Sequence, residues 1–285
     1  MNTNTLKLIL QGPGATEDAA QKLAAMAGAG RIIPLGPFVW RCDDILSEPP
    51  VRDEIAAAAL ALKVDPAFLP ADLTLEAFKL VVMDMDSTLI TIECIDEIAD
   101  MQGLKDHVAE ITEAAMRGDI EFRESLQRRV ALLKGLDESA LAEVFEKRLE
   151  LTLGARTMLR GLKKAGLRAV LVSGGFTYFT ERLEKDLELD VTRANLLEVI
   201  DGKLTGRVLG EIVDAEAKKA MVIAQSEELG VSPMAAITIG DGANDLQMMS
   251  VAGLSVAFRA KPVVQSQASV ALNFSGLDGV LNLFR

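Results

Sequence analysis

Residues 81–89, Val-Val-Met-Asp-Met-Asp-Ser-Thr-Leu, constrain this chain more than any other stretch. A short apolar run ends in carboxylates at alternate positions, Asp84 and Asp86, followed by Ser87 and Thr88. That is the pattern of a buried strand whose C-terminal tip carries polar chemistry. Packing alone gives no reason to place two acids there. In an open α/β sheet the carboxyl ends of the strands border the ligand crevice, so these acids stand where a site belongs if the chain supplies a parallel sheet.

A chain of 285 residues has room for one main domain plus an insertion or a small second domain. Hydrophobic residues at 49% and charged residues at 25% are ordinary globular proportions, which sets aside disorder and fibrous repeats. The formal net charge of -12, with Lys and Arg scattered, argues against a nucleic-acid partner. An acidic enzyme that handles phosphate must gather positive charge locally, from a metal ion and a few placed cations. Cys42 and Cys94 form no spaced pair of the kind used in zinc sites or disulfide frameworks, which fits the reducing cytoplasm. No charged segment followed by a long apolar one opens the chain, and no run reaches about 18 apolar residues, so neither export nor membrane insertion is expected. The single histidine, His107, sits by Asp106 and Glu110 as on a helix surface and cannot build a multi-histidine site. Asp100 and Glu48, not arginines, stand six positions after the cysteines, so the loop of a thiolate phosphatase is missing. Carboxylates remain as the catalysts.

Residues 4–10 read as a strand, 15–27 as an Ala-rich helix opened by Thr16 and Glu17, 31–39 as a second strand and 53–62 as a second helix. Together they make a small α+β domain, residues 1–75, that ends in a Pro- and Asp-rich linker over 65–75. Phe38 and Trp40 are expected in its core or at an interface rather than as a ligand shelf. From residue 97 to about 151, apolar residues such as Ile98, Val108, Leu126, Val130, Leu141 and Val144 recur at helical intervals. This helical insertion, at about 92–152, follows the first strand and is placed to fold over its tip as a cap that excludes water. Beyond it a helix at 155–165, a strand at 168–172, a helix at 178–186 and a hairpin over 195–210 turning at Asp201-Gly202 follow in order. A helix at 216–229, strands at 235–239 and 254–258 and a helix at 244–252 complete the alternation. The fold class is therefore α/β, a doubly wound, Rossmann-like parallel sheet over residues 76–285 with right-handed crossovers.

Two further strand tips carry polar loops. Strand 168–172 runs into Ser173-Gly174-Gly175, where a hydroxyl and backbone donors suit a phosphate, although the same triplet is a common tight turn. Strand 235–239 runs into Gly240-Asp241-Gly242-Ala243-Asn244-Asp245, where two acids and an amide crowd one loop. Mg²⁺ takes oxygen ligands and keeps a substrate phosphate in its shell, so Asp84 and Asp241 can hold it across neighbouring tips. An Asx turn with a helix N-cap at Asn244 or Asp245 accounts for the same residues. Lys218, between the two glycine loops, is the candidate cation; as a helix lysine it also suits solvent, and Lys219 competes for the role.

In this order Asp84-Met85-Asp86-Ser87-Thr88, Ser173-Gly174-Gly175, Lys218 and Gly240-Asp241-Gly242-Ala243-Asn244-Asp245 resemble the four motifs of the haloacid dehalogenase superfamily. Within it, Glu93-Cys94-Ile95-Asp96-Glu97, Ala115-Met116-Arg117-Gly118 and residues 122–130 resemble the phosphoserine phosphatase branch, the likeness spanning about residues 78–275. The resemblance implies a haloacid dehalogenase core with a helical cap and Mg²⁺ as cofactor. Asp84 is then the nucleophile, forming an aspartyl phosphate, and Asp86 the general acid and base. It further implies metal ligation by Asp84, Asp241 and the main-chain carbonyl of Asp86, and phosphate contacts from Ser173, Gly174, Lys218 and Asn244. By the same pattern Glu93 takes the ammonium of serine, Arg129 its carboxylate, and Phe122 covers the site; Arg128 is adjacent to Arg129 and open to confusion with it.

Three readings span enzyme and binding classes: hydrolysis of phosphoserine, hydrolysis of another small phosphomonoester, and a non-catalytic sensor that kept the fold. Retention of both Asp84 and Asp86 speaks against the sensor, and Glu93 with Arg129 favours an amino-acid phosphate. Such branches often carry ACT-like regulatory domains in the position of residues 1–75; serine binding, pairing into a homodimer and a structural role are all open for it.

Overall fold

The structure, a computed structural model, describes residues 6–45, 49–116 and 119–285. Strand β1 (Leu6–Gln11), helix α1 (Glu17–Met26), strands β2 (Arg31–Gly36) and β3 (Val39–Asp43), helix α2 (Pro49–Leu62) and strand β4 (Asp65–Pro70) build an antiparallel sheet in the order β2-β3-β1-β4. Thr16 caps α1, its hydroxyl oxygen accepting from the Ala19 amide at 3.3 Å. Alternate residues of β1 divide between two cores. Leu8 and Leu10 pack against Leu23 of α1 and Ile55 of α2, while Ile9, with Ala67 and Leu69 of β4, joins the large core of the rest of the chain.

Two expectations for this region need correction and a third is narrowed. Residues 65–70 are not linker: β4 pairs with β1 along its whole length, with Leu10 opposite Pro66 and Leu6 opposite Pro70. Proline argues against a central strand, but β4 is an edge strand, where a missing ladder donor costs nothing. Residues 31–39 are not a single strand either, because the chain reverses after Gly36 into β3. Phe38 forms that reversal with φ +57° and is 52% exposed, so it is not core, whereas Trp40 packs against the module and its Nε1 donates to the Ala15 carbonyl at 2.8 Å.

The second sheet begins with β5 (Leu80–Met83). Helices α3 (Cys94–Asp100), α4 (Lys105–Met116), α5 (Phe122–Ala131) and α6 (Ser139–Lys147) then form the expected helical insertion; Arg117 and Gly118, quoted above for the resemblance, lie outside the described residues. Its two ends meet in a short antiparallel neck, where Ile90 bridges Leu151 and the Thr152 amide donates to the Leu89 carbonyl at 3.0 Å. The chain continues through α7 (Ala155–Lys164), β6 (Arg168–Phe176), α8 (Thr177–Leu187), β7 (Val191–Ile200), β8 (Lys203–Leu209) and α9 (Ala215–Glu228). It closes with β9 (Ala236–Gly240), α10 (Leu246–Met249), β10 (Leu254–Phe258), α11 (Pro262–Gln265), β11 (Val270–Leu272) and α12 (Gly279–Asn282).

The strand order is β11-β10-β9-β5-β6-β7-β8, parallel except for the β7–β8 hairpin, which turns at Asp201 and Gly202, both at positive φ as a two-residue hairpin turn demands. Leu80 and Val82 face α9 and α10, and Val81 and Met83 face α7 and α8, so β5 is buried on both sides. It lies between β6 and β9, where the chain's progress across the sheet reverses. A crevice opens at such a switch point, directly beyond the tip that carries Asp84.

Candidate active site

Asp84 follows β5 directly and begins a tight turn in which Ser87 takes φ +55°, a left-handed conformation uncommon for a residue with a side chain. The Asp84 carboxylate accepts from the Met85 amide at 2.7 Å and from Lys218 Nζ at 2.8 Å. Lys218 is fully buried on α9, and its Nζ also donates to Asp245 Oδ1 at 2.7 Å. It is therefore no solvated helix lysine. Burial works against its charge, but the Asp245 and Asp84 carboxylates outweigh that and push its pKa up. Asp84 is itself shifted upward, by burial first and by Asp245 next, with Lys218 opposing.

Asp245, to which the sequence reading gives no site role, organises this corner. Its second oxygen accepts from the Asp241 and Gly242 amides at 3.1 and 3.0 Å, backward along the loop and not as the foreseen Asx turn or helix N-cap, while its first holds Lys218. Thr88 donates to Asp241 Oδ1 at 3.2 Å, and burial followed by repulsion from Asp245 raises Asp241 to about 6. Oxygens of Asp84, Asp241 and Asp245 lie within 4.8 Å of one another. Three carboxyl groups face one ammonium here, and the donors are all hard oxygens. That set fits a divalent cation of the Mg²⁺ type.

Asp86 accepts from the Cys94 amide at 3.1 Å, and its pKa is raised to about 7 by burial and then by the charge of Glu93. Glu93 in turn accepts from Ser87 Oγ at 2.7 Å and is raised by burial. Gly175 makes room for the turn: a Cβ there would lie 2.7 Å from Asp86 Oδ2 and 2.8 Å from Met85 Cε. Its amide donates to Ser173 Oγ at 2.8 Å.

A cavity of about 1060 Å³ lies between cap and sheet. Asp84, Asp86, Gly174, Asp241 and Asn244 line it from the sheet side, and Glu93, Phe122 and Arg129 from the cap side. Ser173 and Lys218 are fully buried beneath its floor. Arg129 is half-buried and its charge is felt by Asp96, Glu93 and Asp86, whereas Arg128 is exposed and paired with Glu124 at 2.5 Å, which separates the two neighbours. Phe122 lies over Gly174, 3.1 Å from where a Cβ would project. Asp245 and Asn195 are the polar residues that sequence reasoning passes over. Asp245 had a signal in its crowded loop; Asn195 had none beyond being an asparagine where a strand is expected.

A buried carboxylate beside a lysine, a second acid that titrates near neutrality, an acidic cation cluster and a cap carrying opposite charges define a phosphoryl-transfer site. The chain belongs to the haloacid dehalogenase-like hydrolase family, whose pattern residues 81–250 match. Within it the chain groups with the phosphoserine phosphatases. It is 54% identical over 219 residues to the phosphoserine phosphatase of Polaromonas sp., covering 75% of this chain and 93% of that relative. It is similar to the unliganded structure of a probable phosphoserine phosphatase from Vibrio cholerae, at 35% identity and a TM-score of 0.82, over 99% of this chain and 86% of that one. A phosphoserine phosphatase captured as a phospho-aspartyl intermediate analogue matches at 38% identity and a TM-score of 0.69, over 73% of this chain and 99% of that one.

Proposed function

We propose that the chain hydrolyses O-phospho-L-serine to L-serine and phosphate, the last step of serine biosynthesis, through a phosphoryl group carried on Asp84. The observation that carries this reading is the pair of opposite charges, Glu93 and Arg129, on the cap wall of the cavity that Asp84 lines. A zwitterionic amino-acid ester offers an ammonium to the first and a carboxylate to the second, and a guanidinium fork matches a carboxylate.

Asp84 attacks phosphorus as the bond to the serine oxygen breaks, and Asp86 passes its proton to that oxygen, releasing L-serine. Water then enters. Asp86 takes a proton from it, the hydroxyl oxygen bonds to phosphorus, and Asp84 leaves as a carboxylate with release of phosphate. A pKa raised to about 7 supports Asp86 in both steps, because each protonation state is populated near neutrality. Ser173, the Gly174 amide, Lys218 and Asn244 hold the phosphate oxygens. Mg²⁺, held by Asp84, Asp241 and the main-chain carbonyl of Asp86, supplies positive charge to the phosphate when bound. The phospho-aspartyl analogue in a 38%-identical relative supports the covalent route. No helix among the described residues is long and apolar enough to cross a membrane.

Steady-state hydrolysis of L-phosphoserine, phosphothreonine and sugar phosphates, with Mg²⁺ and with excess EDTA, tests the reading. Phosphoserine should have the highest kcat/KM and EDTA should abolish turnover. Arg129→Ala should raise KM for phosphoserine by about 10–100-fold, the equivalent of one charge-assisted contact. Slow turnover of phosphoserine beside fast turnover of another ester overturns the substrate.

A further inference from the structure

Asparagine is depleted in strands, yet Asn195 lies in β7, fully buried, with both ends of its amide engaged. Its Nδ2 donates to the Gly174 carbonyl at 2.8 Å, and its Oδ1 accepts from the Val213 amide at 2.9 Å. One neighbour needs a donor and the other an acceptor, so the orientation of the amide is set by its partners.

The place of this residue in the sheet explains what it does. Pairing between β6 and β7 is regular to Val172, slips, and resumes with Phe176 opposite Asn195. The slip falls on Ser173-Gly174-Gly175, so the Gly174 carbonyl is bonded by the Asn195 side chain where the ladder is interrupted. The Gly174 carbonyl and the Gly175 amide belong to one peptide group, and in a trans peptide they point in opposite directions. Asn195 holds the first, and Ser173 Oγ accepts from the second at 2.8 Å. The peptide is thus clamped from both sides. Its amide in turn fixes Ser173 Oγ, whose own proton is left to donate elsewhere. Through Val213 the same asparagine ties down the chain just ahead of Asp214, the N-cap of the helix that carries Lys218.

We infer that Asn195 is a positioning residue for phosphoryl transfer, orienting the 174–175 peptide and through it the Ser173 hydroxyl, without touching substrate. This rests on the phosphate-binding role proposed for Ser173 and Gly174. Preorganised donors aimed at charge that develops in the transition state act mainly on kcat, so disorienting them costs turnover more than ground-state binding.

The test is a double-mutant cycle on the full chain with Mg²⁺, combining Asn195→Asp with Ser173→Ala. The aspartate keeps the shape and the acceptor for Val213 but sets an oxygen against the Gly174 carbonyl; Asn195→Ser, neutral and too short to reach, runs as a second variant in case the first fails to fold. Thermal unfolding midpoints are measured alongside. With phosphoserine, each Asn195 variant should lower kcat at least about 10-fold with KM changed by less than about 3-fold. In the Ser173→Ala background the same change should cost less than about 3-fold, because the group it positions is gone. Equal losses of kcat in both backgrounds, or variants with unchanged kcat, overturn the inference. The cycle is repeated with p-nitrophenyl phosphate, which has no amino-acid portion. A wild-type chain that hydrolyses only this ester contradicts the phosphoserine reading, while the cycle on it still decides the role of Asn195.

Discussion

Asp86 shows how a side chain's surroundings select its chemistry. Burial and the nearby Glu93 charge favour its neutral form and bring it to about 7, against the pull of the Cys94 amide and of Lys218. Removing a neighbouring negative charge makes the carboxylate easier to form. Glu93→Gln should therefore lower the Asp86 pKa, while burial keeps it above the ordinary carboxylate range. Carbon-13 NMR titration of the metal-free protein measures this, and an unchanged or raised value contradicts the coupling. Asp84 and Asp86 are legible from sequence because alternation along an apolar strand puts them at its end. Lys218 is less so: nothing about a lysine in a helix announces that it is fully buried between two carboxylates, and only its position between the glycine loops selects it. Asn195 is not legible at all, since its function lies in a slip of strand register that no local pattern encodes.

At the scale of elements the cap is held at several places besides its bonds to Asp86 and Ser87. The Ile90–Leu151 neck joins it to β5 and α7, and the β7–β8 hairpin meets it where the Gly135 amide donates to Leu204 and the Glu138 amide to Gly202, both at 2.8 Å. At the cavity mouth Arg123 of α5 donates to Asp214 through Nε at 2.7 Å and pairs with it through Nη2 at 2.6 Å. Arg123 is 59% exposed, so this pair adds less than about 1 kcal/mol to stability. Its effect should be local. Arg123→Ala should leave the unfolding midpoint nearly unchanged and speed amide exchange in the first turn of α5, as read by hydrogen–deuterium exchange; unaltered exchange there would remove its role in holding the cap. The helices of the cap are legible because each spans enough turns for apolar spacing to show. β4 is not, because Pro66 and Pro70 mask an edge strand, and β11, α11 and α12, of three or four residues each, are too short for any period.

Over the whole molecule the N-terminal sheet is built into the phosphatase body. Gln11 donates to the Gly279 carbonyl at 3.1 Å and accepts from Asn282 at 2.9 Å. The buried Asp65 carboxylate accepts from the Asn273 and Ser275 amides at 2.8 Å each and from Phe274 between them. The β-α-β-β-α-β order supports an ACT-like regulatory domain over residues 1–75, proposed here as a firmly docked one. Trp40, the only tryptophan, reports on this sheet, and phosphatase activity reports on the body. In urea the two signals should be lost together. Asp65→Ala leaves three amides without their acceptor, that of Ser275 in a buried place at a cost of about 1–3 kcal/mol, and should shift the Trp40 transition to lower urea. A Trp40 transition that precedes loss of activity in the wild type contradicts firm docking.

The central claim is that Asp84 carries the phosphoryl group. Brief mixing of the wild-type chain with phosphoserine and Mg²⁺, an acid quench and peptide mass spectrometry measure it directly. The expected result is one phosphoryl group on the peptide containing Asp84 in the wild type, with neither adduct nor turnover in Asp84→Asn. An Asp84→Asn chain that still hydrolyses phosphoserine, or wild-type turnover with the phosphoryl group on another residue, contradicts it.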